Sequence, residues 1–161
     1  MTKRKHPVEP MHFQNIDLEI GSRRSLGPLI AELGAKGPDV SAMYVGRLGG
    51  LARAHYEVIL SPRDHDADKI AMALVRLVKG LSAPAMKAWR NARVRDFNIG
   101  IQSSTTPHSF EVGLDAKTVA AIGAIGARIV VTVYAPVESR PMLRIGSDGR
   151  AIRIEPKRSR R

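Results

Sequence analysis

The segment YEVILSPRDHDADKIAMALVRLVKGL, residues 56–81, decides the fold class of this 161-residue chain. Polar and apolar residues alternate at its start, which predicts a strand over residues 56–60. Ser61-Pro62 then fits the N-cap and the first position of a helix near 63–79. An apolar stripe runs along that helix at Ile70, Leu74, Leu77, Val78 and Leu81. Gly80 is expected to end the helix in the left-handed conformation.

Two other segments repeat this order of strand, turn and helix. Residues 16–20 precede a helix near 25–34. Residues 110–114 precede Asp115, the expected cap of a helix near 116–125 that Gly126 ends. The first and third units also finish alike, with Leu33-Gly34-Ala35-Lys36 and Ile125-Gly126-Ala127-Arg128. This likeness predicts a duplicated βαβ unit.

The remaining patterns complete an α+β fold. Strand-like stretches occur around 43–45, 96–102 and 129–134, a glycine-rich turn at 46–50, and a short helix from Ser82. We predict a mixed β-sheet of about six to eight strands with two to four helices mainly on one face. The predicted organisation is a flexible basic N-terminal arm over 1–10, an α+β domain over 11–136, a C-terminal β-hairpin extension over 137–155 and a basic tail over 156–161.

The C-terminal hairpin is predicted from its turn. Asp148-Gly149 between apolar runs is a strong hairpin signal. A two-residue turn would place Ile145 opposite Ile152, Leu143 opposite Ile154, and Arg144 opposite Arg153. Like charges in direct opposition are destabilising unless an anion lies between them. The hairpin therefore predicts an anionic partner.

The net charge of +11 is concentrated at the chain ends. Residues 150–161 hold six basic residues and one acid. Such tails are typical of proteins that meet nucleic acid or other polyanions, although solubility alone is an alternative reading. The predicted nucleic-acid contacts are Arg144, Arg150, Arg153, Lys157, Arg158, Arg160 and Arg161, with Lys3, Arg4 and Lys5 assisting. The choice between DNA and RNA stays open.

The carboxylates of the predicted strands suggest a second function. If the apolar positions face the helices, the polar positions share the other face of the sheet. That face is acidic and nearly free of aromatic residues, so it should repel phosphates. The alternative function is therefore a protein-binding module that acts through this acidic face. Its predicted contacts are Asp17, Glu57, Asp96 and Glu111.

The sequence gives little sign of a catalytic, metal-binding or membrane-spanning segment. The chain has no cysteine, which excludes disulfides, thiolate catalysis and cysteine-ligated zinc. The acids at 64, 66 and 68 fail the calcium-loop pattern, because Lys69 and Val75 stand where Gly and Glu are needed. His65 and His108 are isolated and are read as exposed residues. We expect no enzyme activity, no cofactor and no metal. The apolar runs are too short to span a bilayer, so a cytoplasmic protein without membrane contact is predicted.

The C-terminal half also resembles a known family. Phe97-Asn98-Ile99-Gly100-Ile101 is followed by Phe110-Glu111-Val112-Gly113-Leu114, a short helix, Ile125-Gly126-Ala127 and the strand at 129–134. This order resembles an uncharacterised family of small bacterial α+β domains sometimes associated with toxin-immunity loci. The likeness covers residues 54–136 and, less fully, 12–53. The family implies no settled activity and carries over no functional residues, and its pattern does not include the basic tail. Together with the acidic face, the resemblance makes the alternative function a protein-binding module of bacterial immunity or assembly type.

Overall fold

The computed structural model describes residues 9–37, 39–136, 142–145 and 151–154. Within these ranges the chain forms seven strands, four α-helices and one short 3₁₀ turn. In chain order they are β1 (His12–Ser22), α1 (Gly27–Gly34), β2 (Val40–Leu48), β3 (Leu51–Val58), the 3₁₀ turn (Pro62–Asp64), α2 (Ala67–Lys79), α3 (Ala83–Asn91), β4 (Val94–Gln102), α4 (Ala116–Ala124), β5 (Arg128–Tyr134), β6 (Met142–Ile145) and β7 (Ala151–Ile154).

Five of the strands form one mixed sheet in the order β2-β3-β1-β4-β5. The β4–β5 pair is parallel, and the other pairs are antiparallel. Strands β6 and β7 pair with each other in a separate sheet. The α+β class is confirmed, with fewer strands in the main sheet than predicted. The first and third units are both parallel crossovers, but β1–α1–β2 passes over β3 whereas β4–α4–β5 joins neighbouring strands.

The core lies between the helices and one face of the sheet. Leu18 on β1 is fully buried and pairs in register with Tyr56 on β3 and Phe97 on β4, which are buried as well. Burial alternates along β1, with Ile16, Leu18 and Ile20 all at 0 % exposure. This period of two leaves the intervening polar residues on the opposite face of the sheet from the apolar core. That surface is called the polar sheet face below.

The start of α2 differs from the prediction. The helix begins at Ala67, after Asp66, whose carboxylate accepts hydrogen bonds from the Asp68 and Lys69 amides at 3.0 and 3.2 Å. Ser61 instead precedes the 3₁₀ turn and donates to the Asp64 carboxylate at 2.7 Å. A side-chain acceptor that satisfies two free amides at once makes Asp66 the stronger N-cap. The predicted helix from residue 63 is therefore wrong over its first turn.

Two glycine predictions had different outcomes. Gly126 takes a φ of +70° at the end of α4, and the Ala127 amide reaches back to the Ile122 carbonyl at 3.2 Å. Gly80 keeps a φ of −84°, so the predicted left-handed end of α2 is wrong. Its amide still bonds to Arg76 in the helical pattern, and the chain leaves the helix without reversing handedness. In the β2–β3 turn the required positive φ values fall on Gly49 and Gly50, at +59° and +77°.

Residues 110–114 are not a strand, although they were predicted to be one. They run as an extended connection from β4 to α4. Both edges of β4 are already paired, by β1 and by β5, so the segment has no edge of that strand to join. Phe110 and Val112 instead line a cleft of ≈ 480 Å³ beside Ile99, Ile101 and Val131.

The predicted C-terminal hairpin is present as a strand pair, but its register is shifted by one residue. Arg144 pairs with Ile152, and Leu143 pairs with Arg153. The predicted opposition of Arg144 and Arg153 is therefore wrong. Five residues, 146–150, separate the strands, and connection length sets the register of a hairpin. The predicted contacts Arg150, Lys157, Arg158, Arg160 and Arg161, and the assisting Lys3, Arg4 and Lys5, lie outside the described residues.

Candidate functional site

Nine of the fifteen arginines and lysines between residues 9 and 136 lie at one end of the sheet. At this end β1 finishes at Ser22, β2 turns into β3, and β4 and β5 begin. The strand register places Arg53 opposite Gly21 and Arg47 opposite Ala52, and the Arg93 amide bonds to the Gly21 carbonyl. We call this surface the basic end. Its cations are Arg23, Arg24, Arg47, Arg53, Lys87, Arg90, Arg93, Arg95 and Arg128.

The opposite end of the sheet is acidic and is called the acidic end. It is formed by the start of β1, the segment after β3 and the start of α4. The Asp115 amide, for example, bonds to the Asp68 carboxylate at 2.8 Å. Its carboxylates are Glu9, Asp39, Glu57, Asp64, Asp66, Asp68, Glu111 and Asp115. Residues 9–136 carry only a small excess of positive charge, but most of the cations lie at one end of the sheet and most of the carboxylates at the other.

A groove at the basic end collects three cations from two separate elements. Arg24 follows β1, whereas Lys87 and Arg90 lie on α3, and all three line a cleft of ≈ 680 Å³. Asn91 adds a neutral hydrogen-bonding group, and the apolar surfaces of Leu81 and Met86 complete the lining. All three cations are exposed, and none is ion-paired with a described carboxylate. The groove therefore holds uncompensated positive charge.

The walls of this groove are anchored in the core. Trp89 on α3 is 1 % exposed, and its indole nitrogen donates to the Ile125 carbonyl at 2.9 Å. This bond ties α3 to the end of α4. At the other end of α3, Ser82 donates its amide to the Glu32 carboxylate of α1 at 3.0 Å. Helix α3, which carries Lys87 and Arg90, is thus held at both ends.

One carboxylate at the basic end is neutralised locally. Asp96 is 5 % exposed and accepts two hydrogen bonds from the Arg128 guanidinium, at 2.9 and 2.7 Å. The bonded carboxylate raises the pKa of Arg128 further above its usual range. The pair is bidentate, the strongest geometry for such an interaction. Asp96 therefore does not offer free negative charge to a partner.

Two carboxylates on the polar sheet face are close together. The β1–β3 register places Asp17 opposite Glu57, next to the Leu18–Tyr56 pair. Burial, followed by repulsion from Glu57, raises the pKa of Asp17 to about 6. No cation of the described chain is ion-paired with either group. The pair shares negative charge that nothing described compensates.

Other polar groups on this face are only partly satisfied. Asn98 donates to Glu19 at 2.7 Å and accepts from Thr132 at 2.7 Å, which links three strands. In contrast, Asn15 Oδ1, Asp17 Oδ1, Arg53 Nε and His55 Nε2 are shielded from solvent without a hydrogen-bond partner. His55 also contacts the exposed ring of Tyr44, with ring centroids 5.6 Å apart. The face is more mixed in charge and less free of aromatic residues than the sequence pattern predicted.

The predicted protein-binding residues do not all share one surface. Asp17, Glu57 and Asp96 lie on the polar sheet face. Glu111 lies in the connection after β4 and lines the cleft on the helix side. The expectation that Glu111 joins the other three is wrong, because residues 110–114 are not a strand.

His65 and His108 lie in different parts of the structure. His65 is exposed and contacts Phe13, with ring centroids 5.4 Å apart, and His108 is exposed in a loop. Among the described residues no group of three or more histidines, aspartates or glutamates is arranged to hold a metal ion. No described helix is long and apolar enough to cross a membrane.

The basic end was not predicted, since its members are scattered along the sequence. The available signals were Arg23-Arg24 directly after one strand and Arg93 directly before another. They meet only if β1 and β4 are antiparallel neighbours, which the pattern of residues does not specify. Comparison with protein-family models, with curated proteins and with solved structures gave no match.

Proposed function

We propose that this chain is a non-enzymatic accessory protein that binds nucleic acid, or a nucleoprotein assembly, electrostatically. The primary contacts are those of the C-terminal hairpin and tail, Arg144, Arg150, Arg153, Lys157, Arg158, Arg160 and Arg161. The observation that carries the proposal is the uneven charge of the domain, since most of its described cations lie at the basic end and most of its described carboxylates lie at the acidic end. The positive charge of the basic end, which belongs to the folded domain, supports a binding role for the basic tail over a role in solubility alone.

The physical basis is the release of counterions. Each phosphate that a lysine or arginine neutralises frees condensed cations from the nucleic acid, so affinity falls steeply with salt. Such binding carries little sequence preference, because the phosphate backbone is the same along every sequence. The tail has no aromatic residue after Tyr134 that could stack on bases. Electrostatic contact with the backbone is thus the interaction that these residues favour.

The test is a salt titration of binding to mixed-sequence duplex DNA and to RNA. The full chain is compared with a variant in which Lys157, Arg158, Arg160 and Arg161 are all changed to Gln. We expect a steep dependence of affinity on salt, and a slope lower by roughly 3–4 in the variant, at about 0.9 per lost duplex contact. An affinity that does not vary with salt, or an unchanged slope in the variant, would contradict the proposal.

The second candidate is a protein-binding module that uses the polar sheet face. The observation that favours it is the uncompensated pair of Asp17 and Glu57, which a lysine or arginine of a partner would relieve. Glu57→Lys should abolish capture of such a partner. Glu111→Lys is the matched control, because it makes the same charge change on the other side of the sheet. Equal retention of the partner by both variants would exclude this candidate.

A further inference from the structure

We propose that the groove of Arg24, Lys87 and Arg90 at the basic end is a second binding site, which takes the phosphate backbone of double-stranded nucleic acid. The inference rests on the proposed function, but it concerns a different part of the chain. The tail lies outside the described residues, whereas the groove is a surface of the folded domain. The two contributions can be separated by substitution.

The first argument is the uncompensated charge of the groove. Its three cations come from the β1–α1 connection and from α3, and none forms an ion pair with a described carboxylate. The described ion pairs join Lys36 to Glu32, Lys69 to Asp64 and Arg128 to Asp96. Positive charge held together by the fold, without local compensation, attracts an external anion. The apolar lining from Leu81 and Met86 supports the aliphatic stems of the cations.

The second argument is the width of the basic end. Cations without a described ion pair occur on β2, with Arg47, and across the sheet to β4, with Arg95. Three spacings of about 4.8 Å separate those strands, which gives roughly 14 Å. The helix layer that carries Lys87 and Arg90 adds about 10 Å in the other direction. A surface of this size can contact phosphates on both sides of a duplex groove, since B-DNA grooves are about 6 and 12 Å wide.

The third argument is the absence of a stacking surface in the groove. Proteins that hold single strands stack the bases on exposed aromatic side chains. The groove lining contains none, and Trp89 on the same helix is buried and hydrogen-bonded to Ile125. Tyr44 lies on the edge strand β2, where its hydroxyl donates to the Arg47 carbonyl, and Tyr134 ends β5 at the acidic end. Charge without stacking favours a duplex backbone over a single strand.

The experiment uses the full chain with Arg24, Lys87 and Arg90 all changed to Gln. A matched control changes Arg63, Arg76 and Lys117 to Gln, which removes the same charge from exposed positions that have no described ion pair and do not line the groove. Binding to a mixed-sequence 20-base-pair duplex, and to one of its strands, is measured over a range of salt. We expect the duplex salt slope to fall by roughly 2–3 in the groove variant and by less than about 1 in the control.

The outcomes separate the two proposals. A larger drop in slope for the groove variant than for the control, with a preference for duplex over single strand, supports the groove site. Equal drops in the two variants would mean that only net charge matters, which overturns it. If the salt slope of duplex binding is unchanged in the groove variant but lower in the tail variant, the groove site is overturned and the proposed function stands. No binding of either nucleic acid by the unmodified chain overturns both.

Discussion

The basic end and the acidic end of the sheet are built from the same five strands, yet they carry opposite charge. At the basic end most cations have no described partner, and the one buried carboxylate, Asp96, is bound to Arg128. At the acidic end Asp64, Asp66 and Asp68 accept hydrogen bonds from within the chain, as Asp66 does at the start of α2. These three acids serve the fold, whereas the side chains of the groove cations make no described hydrogen bond or ion pair. Groups without a structural use are the better candidates for function.

The largest expected effect is the loss of stability when Trp89, which anchors helix α3 at the basic end, is substituted. Trp89 is fully buried and joins α3 to the end of α4. Trp89→Ala should reduce the free energy of unfolding by about 3–5 kcal/mol, because it leaves a large cavity in the core. Trp89→Phe should cost less, since it removes the indole hydrogen bond but keeps an aromatic ring in place. Urea unfolding measures both, and an equal loss in the two variants would mean that the bond to Ile125 carries the whole effect.

The second effect is the dependence of stability on pH that we expect from Asp17 on the polar sheet face. The pKa of Asp17 is raised from 3.8 to about 6, so the folded state keeps a proton that the unfolded chain has already released. This contribution to stability is present below pH 3.8 and is lost as pH rises through 6. Asp17→Asn should therefore stabilise the protein at pH 7 by about 1–2 kcal/mol, a value reduced for partial exposure to solvent.

The check is the unfolding midpoint between pH 4 and pH 7. The Asn variant should show a flatter dependence than the parent chain, because it no longer titrates at this position. Glu111→Gln is the control, as it removes a carboxylate from the exposed connection on the helix side. A parallel curve for Asp17→Asn and the parent chain would show that the Asp17–Glu57 pair does not carry the pH dependence.

The third effect tests whether the acidic end is structural. Asp66→Ala removes the side-chain acceptor for two amides at the start of α2 and should cost about 1 kcal/mol. Asp66→Asn should cost less, since an amide oxygen can still cap the helix. Thermal unfolding compares the two. A smaller loss for Ala than for Asn would contradict the role of Asp66 as the N-cap.

Much of this fold follows from short-range pattern. Alternation predicted β1, β4 and β5, and the apolar stripe predicted the body of α2, because these signals reflect burial of one face. The segment at 110–114 has the same alternation, but β4, the strand before it, has no free edge for it to join. Whether an edge is free depends on the order of strands, which is a long-range property.

The candidate site was harder to predict for the same reason. Cations of the basic end come from the ends of β1 and α3, the β2–β3 hairpin and the start of β5, and only the sheet order brings them together. The register of the C-terminal hairpin could not be predicted from its turn residues either. Asp148-Gly149 predicted a two-residue turn, but strands separated by 146–150 pair Arg144 with Ile152. Turn propensity alone did not fix the connection length.

The smallest expected effect compares one carboxylate from each end. Asp96→Asn removes a negative charge next to Arg128 and should tighten duplex binding a few-fold, because the freed guanidinium adds positive charge to the basic end. Asp66→Asn makes the same charge change at the acidic end. Strand β1 has 11 residues and spans roughly 36 Å, whereas the screening length at 0.1 M salt is about 10 Å. Asp66→Asn should therefore leave duplex affinity nearly unchanged in a titration at that salt, and equal tightening by both substitutions would mean that net charge, not its position on the sheet, governs binding.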